Sequence, residues 1–122
     1  MAKTKTKTRL DTQLRAELEE LHARICKALN DPKRLLLLYA LGESPRTVSE
    51  LCEMLDAPQS NISQHLGVLR DRGVVDATRN GNSVRYSLRH AKVLQAIDLL
   101  REVMADEFDR QHALRQPASA RR

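Results

Sequence analysis

The chain has 122 residues, 41% of them apolar and 30% charged, enough apolar mass for one compact domain with tails and too little for two cores. No stretch approaches the roughly 18 uninterrupted apolar residues of a membrane span, and no apolar signal core follows the basic N-terminus, so a cytoplasmic protein without membrane association is expected. Two cysteines, Cys26 and Cys52, suit neither a disulfide scaffold nor a zinc module of paired cysteines, which favours a reducing compartment.

The Lys-Thr alternation at 3–8 has nothing to bury and predicts a solvated tail. From Leu10 onward, Leu14, Leu18, Leu21, Ile25 and Ala28 recur at steps of three and four, predicting one long amphipathic helix from about Asp11 to Leu29. Asp31-Pro32 is a helix start, with aspartate as N-cap and proline at the first helical position, and Gly42 after Leu41 is the expected stop. Leu35-Leu36-Leu37-Leu38 is apolar all round, as a central buried helix would be.

Thr47 and Glu50 match the S/T-x-x-E capping box, so a third helix should begin near Val48 and turn Val48, Leu51 and Leu55 inward. Pro58 opens a fourth helix that runs to about Arg72 and stops at Gly73. Only about three residues separate these two helices, the spacing of a helix-turn-helix. Val74 and Val75 then open a strand, Asn80-Gly81 is a strong hairpin signal, and Val84, Tyr86 and Leu88 alternate with polar residues on the return strand. A two-stranded wing is predicted. From about His90 a last long helix carries Val93, Ile97, Leu100, Met104 and Phe108 on one stripe.

The net charge of +5 is unevenly laid out. Lys3, Lys5, Lys7 and Arg9 in the first nine residues and Arg115, Arg121 and Arg122 at the end have no acid among them, leaving 14 basic against 16 acidic residues over 10–114. Between positions 60 and 92, however, six cations (Arg70, Arg72, Arg79, Arg85, Arg89, Lys92) meet only Asp71 and Asp76. A positive stripe therefore follows the fourth helix, as a phosphate-binding surface requires.

On that helix, Ile62, Leu66 and Leu69 share one face, while Ser60, Asn61, Gln64 and Gly67 lie outside it, with Gln59 and Ser63 on the same polar surface. Such a surface is either an ordinary solvated face or a reading face for DNA, and the short turn, the wing and the charge favour the second. Gln64 is the best base-edge candidate, since an amide pairs bidentately with adenine, and Ser60 and Ser63 suit phosphate or either base. His65 falls nearer the inner face and is expected to pack. In the wing, Arg79, Asn82 and Arg85 would lie beside the reading helix, where arginine can hold phosphate or enter the minor groove.

In element order and in residues the chain resembles the ArsR/SmtB family of winged helix-turn-helix repressors. Ala28-Leu29-Asn30-Asp31-Pro32-Lys33-Arg34 is similar to that family's Ala-Leu-x-x-Pro-x-Arg entry. Gln59-Ser60-Asn61-Ile62-Ser63-Gln64-His65-Leu66, then Leu69-Arg70 and Gly73-Val74-Val75, resembles its Gln-Ser-x-Val-Ser-x-His-Leu-x-x-Leu-Arg-x-x-Gly-Leu-Val signature. The likeness spans roughly residues 14 to 108. It implies a homodimeric transcriptional repressor that leaves its double-stranded DNA operator when an inducer, often a metal or metalloid, binds.

The usual sensor sites of that family are incomplete here. Its thiolate site reads Cys-x-Cys-x-x-Cys at the start of the third helix, because a soft ion wants converging thiolates; the matching positions are Thr47, Ser49 and Cys52. Its zinc site places Asp-x-His and His-x-x-Glu on the last helix, where this chain has His90, Asp106, Asp109 and His112 at other spacings. Its dithiol sensors need a cysteine on the closing helix, which is missing. Cys26 and Cys52 lie on apolar stripes, where cysteine is more often a small hydrophobe than a ligand, and they are kept only as weak sensor candidates.

The expected protein is thus mainly α with a two-stranded hairpin wing, its domain at 10–113 flanked by basic tails at 1–9 and 114–122. It dimerises through its first and last helices, with Leu14, Leu18, Leu21, Val93, Ile97, Leu100, Met104 and Phe108 in the seam. Gln59, Ser60, Asn61, Ser63, Gln64, Arg70, Arg79, Asn82 and Arg85 are the expected DNA contacts. No catalytic residue, cofactor or metal site is predicted. With no phosphate loop and no nucleophile arrangement, an enzyme is not expected. The rival reading is a protein-interaction module whose long outer helices bind a partner.

Overall fold

The computed structural model describes residues 10–115, so the basic tails at 1–9 and 116–122 lie outside the described residues. The chain falls into two compact units, one up to Arg89 and one from His90. In the first, α1 (Thr12–Leu21) starts at Asp11, whose carboxylate accepts the Leu14 N–H at 2.8 Å. Instead of the uninterrupted α-helix predicted to Leu29, the chain widens into a π turn over His22–Cys26. The stripe read at 3.6 residues per turn does not survive a wider turn. Hence Cys26 is exposed rather than buried, while Ala28 is fully buried.

Helix α2 (Pro32–Glu43) has the predicted start, with the Asp31 side chain accepting the Lys33 N–H at 2.8 Å. It passes through Gly42 instead of stopping there. The Arg46 guanidinium closes its end, donating from Nε to the Ala40 carbonyl at 3.3 Å and pairing through Nη2 with Glu43 at 2.7 Å. Nor is the leucine run buried all round: Leu37 and Leu38 are fully enclosed, whereas Leu36 is 57% exposed.

Strand β1 (Arg46–Thr47) leads directly into α3 (Val48–Leu55), and Thr47 and Glu50 form both halves of the capping box. Asp56 then takes a left-handed φ of 52°, which aspartate tolerates better than most residues, and ends α3. Helix α4 spans Gln59–Asp71; Pro58 is its N-cap rather than its first residue, and the Pro58 carbonyl accepts the Ile62 N–H at 3.1 Å. Gly73, at φ 78°, makes the predicted stop, and the Val74 N–H returns to the Leu69 carbonyl at 2.9 Å.

Strands β2 (Val75–Asn80) and β3 (Ser83–Leu88) pair antiparallel from Val75↔Leu88 to Asn80↔Ser83. The loop is thus Gly81-Asn82, one residue beyond the predicted pair, with Gly81 in the left-handed region. A sheet of order β1-β3-β2 replaces the two-stranded ribbon, because β1 adds Arg46↔Tyr86 and Thr47↔Arg85. The core of this unit is Leu37, Leu38, Leu51, Ile62, Leu66, Leu69, Val74 and Val75, all essentially without solvent contact.

Among the described residues of the second unit there is one helix, α5 (Ala91–Arg115), which continues past residue 113 and makes Leu114 and Arg115 helical. Its Phe108 and His112 rings stack with centroids 6.4 Å apart.

Candidate nucleic-acid interface

Three side chains of α4 point inward and leave no surface: Ile62, Leu66 and Leu69 are each 0% exposed. Fully burying an aliphatic side chain is worth roughly 1.5–3 kcal/mol, so these three outweigh any surface bond in fixing the rotation of the helix. The opposite face is thereby held outward. Gln59, Ser60, Ser63, Gln64 and Arg70 are all exposed on it, with no acid before Asp71. A Cβ built on Gly67 meets nothing within 4 Å among the described residues, so the surface beside Gln64 is open.

Asn61 departs from the predicted set. It is only half-exposed, and its Oδ1 is buried without a hydrogen-bond partner, which places its amide on the flank of the helix and not on the outer ridge. His65 is half-buried one turn on. Arg34 Nη1 donates to His65 Nδ1 at 3.1 Å, which leaves Nε2 facing Asp31 Oδ1 at 3.9 Å. Arginine cannot accept, so the ring nitrogen it meets must be the acceptor. Arg34 also donates to the Ala28 carbonyl at 2.7 Å, and so moors α4 to the end of the π segment and the start of α2.

Asp31 is held below its ordinary pKa of 3.8. Desolvation pushes its carboxyl upward, but the Lys33 N–H bond, the neighbouring His65 ring, the Arg34 N–H bond and the Arg34 guanidinium together outweigh it. Glu50 is also lowered, first by the Thr47 N–H bond and further by the charges of Arg85 and Arg46.

In the wing the two predicted arginines behave differently. Arg85 is drawn toward the start of α3, its Nη1 donating to the Pro45 carbonyl at 3.4 Å and lying 3.8 Å from Glu50 Oε1. Arg79 and Asn82 are exposed near the loop, and among the described residues no ion pair holds Arg79. Arg79 and Arg85 line the same small polar groove, of about 340 Å³, with Pro45, Thr78, Asn80 and Ser87. Beside Gly73, Arg89 pairs with Asp76 at 3.3 Å.

Of the predicted seam, Leu18 and Leu21 of α1 are about half exposed and Leu14 less so. On α5, Ile97 is only 6% exposed and Val93 half-buried, whereas Leu100, Met104 and Phe108 are 61–69% exposed, joined by Leu99 and Val103. The family's thiolate site does not fit this chain, because the positions at the start of α3 that would need thiolates carry the hydroxyls of the N-cap Thr47 and of Ser49, beside a half-buried Cys52. Among the described residues no three His, Cys, Asp or Glu side chains come together to hold an ion.

Residues 31–77 match the family model described as bacterial regulatory protein, arsR family. The HTH-type transcriptional regulator YgaV of Escherichia coli K12 is 38% identical over 92 residues, covering 75% of this chain and 92% of that protein. A biofilm growth-associated repressor of Xylella fastidiosa is 39% identical over 78 residues, 64% of this chain and 68% of that one. Among solved structures, Rv0081 of Mycobacterium tuberculosis aligns with a TM-score of 0.67 at 32% identity, covering 83% of this chain and 97% of that chain. A winged helix-turn-helix DNA-binding domain from Mycobacterium bovis, described as homodimeric, shares the fold with a TM-score of 0.70 at 24% identity, covering 84% and 94%. These relatives are regulators and not enzymes. On this sequence identity and coverage, with a wing and a helix-turn-helix in the same order, the chain belongs to the arsR family of bacterial regulatory proteins.

Proposed function

We propose that the protein is a homodimeric, sequence-specific DNA-binding repressor that reads its operator with α4. The observation that carries this is the division of α4: an inner face without solvent contact and an outer face of Gln59, Ser60, Ser63 and Gln64 fully available to a major groove. Gln64 reads a base edge, the serines and Arg70 position the backbone, and Arg79 with Asn82 takes flanking phosphate or minor groove. Arg85 orders the wing through Glu50 and touches phosphate second, and Asn61 supports the helix from its flank.

A second copy is needed because half-sites about 34 Å apart require two reading helices. The exposed apolar residues of α1 and α5 supply the seam, chiefly Leu18, Leu21, Leu100, Met104 and Phe108. No described helix is long and apolar enough to cross a membrane, and the protein acts in the cytoplasm where its DNA lies.

Binding of labelled genomic fragments across a salt series tests the reading. Affinity should fall steeply with salt, and Gln64→Ala should cost roughly 10- to 100-fold at one base pair while nonspecific binding holds, the worth of one bidentate contact. Unchanged sequence preference in Gln64→Ala would remove α4 as the reading element. Salt-insensitive capture of a protein partner through α5 would favour the interaction-module reading.

A further inference from the structure

A groove of about 760 Å³ opens between the π turn, the start of α2 and the end of α4, all within the first unit. His22, Lys27, Asn30, Arg34 and Arg72 supply its polar lining, and no aspartate or glutamate lines it. Lys27, Arg34 and Arg72 make no ion pair within 4.0 Å among the described residues, whereas most other arginines described do. The two guanidiniums rest mainly on neutral acceptors instead: Arg72 Nη1 on the Ala23 carbonyl of the π turn, and Arg34 on the Ala28 and Lys27 carbonyls and His65 Nδ1. The Asp31 carboxylate, outside the groove lining, accepts the Lys33 N–H, faces the other nitrogen of His65 and feels the Arg34 charge without forming an ion pair with it.

A neutral carbonyl satisfies a donor but cancels no charge, so Lys27 and Arg72, with Arg34 partly offset by the Asp31 carboxylate, bring permanent positive charge to a concave surface lined by no acid. Forked guanidiniums with donors to spare match the oxygens of a phosphate or carboxylate. We propose that this groove binds a small oxyanion or a phosphate- or carboxylate-bearing metabolite, held between Lys27 and Arg72 over Arg34. The volume suits a small molecule.

The same contacts make binding felt at the reading helix. Arg72 caps α4 and ties it to the π turn, and Arg34 ties it to α2 through His65. An anion that recruits these guanidiniums competes with those ties and biases the placement of α4, which makes it an effector. This regulatory half rests on the repressor reading; anion binding itself does not.

The test is a titration of the full chain with sodium phosphate, and separately sulfate, against sodium chloride at matched ionic strength, followed by thermal melting and amide chemical shifts. A saturable rise in Tm specific to the oxyanion is expected, with shifts confined to residues 22–34 and 65–72. The response should vanish in Arg72→Gln and in Lys27→Gln, the latter an exposed side chain whose loss leaves the fold intact, and persist in Arg110→Gln outside the groove. Phosphate should also weaken operator binding at least about tenfold in the wild type and not in Arg72→Gln. An oxyanion effect no larger than chloride's, or one retained in both groove variants, overturns the site. If phosphate gives no response while folded Arg72→Gln lowers the DNA salt slope by about one, the groove serves the DNA backbone instead, which also overturns it. Phosphate bound without any change in operator affinity overturns the effector role. Absence of any preferred DNA sequence in the wild type would instead sink the repressor reading and leave the anion titration standing.

Discussion

Removing the Arg34 guanidinium tests whether α4 is moored to α2 by a side-chain bond or merely packed there. Three bonds are lost in Arg34→Leu: the 2.7 Å bond to the Ala28 carbonyl, the 3.1 Å bond to His65 and the longer, exposed one to Lys27. Hydrogen bonds from a charged donor are worth about 1.5–3 kcal/mol, and partial exposure brings the first two to the low end of that range. With little from the third, the expected loss is about 3 kcal/mol, or roughly 10–20 °C in Tm for a chain of this size. Arg34→Lys should not restore it, because an ammonium cannot span the forked geometry.

His65→Ala alone should cost less, and the Arg34→Leu/His65→Ala double variant should fall short of additivity by about 1 kcal/mol, the share of their common bond. Urea unfolding at one fixed protein concentration measures all four corners, since the proposed dimerisation would make apparent stability depend on concentration. Additivity within about 0.3 kcal/mol would show that the two side chains are neighbours without being coupled, and the mooring argument would fail.

Thr47→Ala removes one half of the α3 capping box and should destabilise by about 1 kcal/mol, with Thr47→Ser restoring most of it; unchanged urea midpoints for both would refute the cap. The Asp31 carboxyl titrates lower folded than unfolded, so it stabilises fully above about pH 4 and loses this as pH falls through the depressed value. The stability gap between Asp31→Asn and wild type should therefore narrow below about pH 4; a gap that widens in that acid range contradicts the assignment. Met104→Glu with Leu100→Glu should halve the mass by light scattering while leaving the circular dichroism of the first unit unchanged, since both side chains are over 60% exposed in the single chain. An unaltered dimer would move the seam elsewhere.

Most of what positions the outer face of α4 is written locally. The capping box at Thr47 and Glu50, the N-cap at Asp31, the glycine stop at 73 and the inward set Ile62, Leu66 and Leu69 each depend on residues within a few positions of one another. The same locality explains the errors. Gly42 reads as a stop until Arg46 is seen closing the helix end, and Cys26 reads as buried until the turn before it widens.

The sequence by itself settled the order of elements, the three-residue connection between α3 and α4 and the polar face of α4, because periodicity and caps are properties of neighbouring residues. Tertiary structure alone decided that Arg46–Thr47 joins the sheet, that Arg85 leans on Glu50 while Arg79 is left to the wing's surface, that the Asn61 Oδ1 turns inward, and that Arg34 and Arg72 bind α4 to segments far away in the chain. Each of those outcomes depends on a partner about 30 or more residues distant or on packing around the helix, and no pattern in the sequence near either end records it.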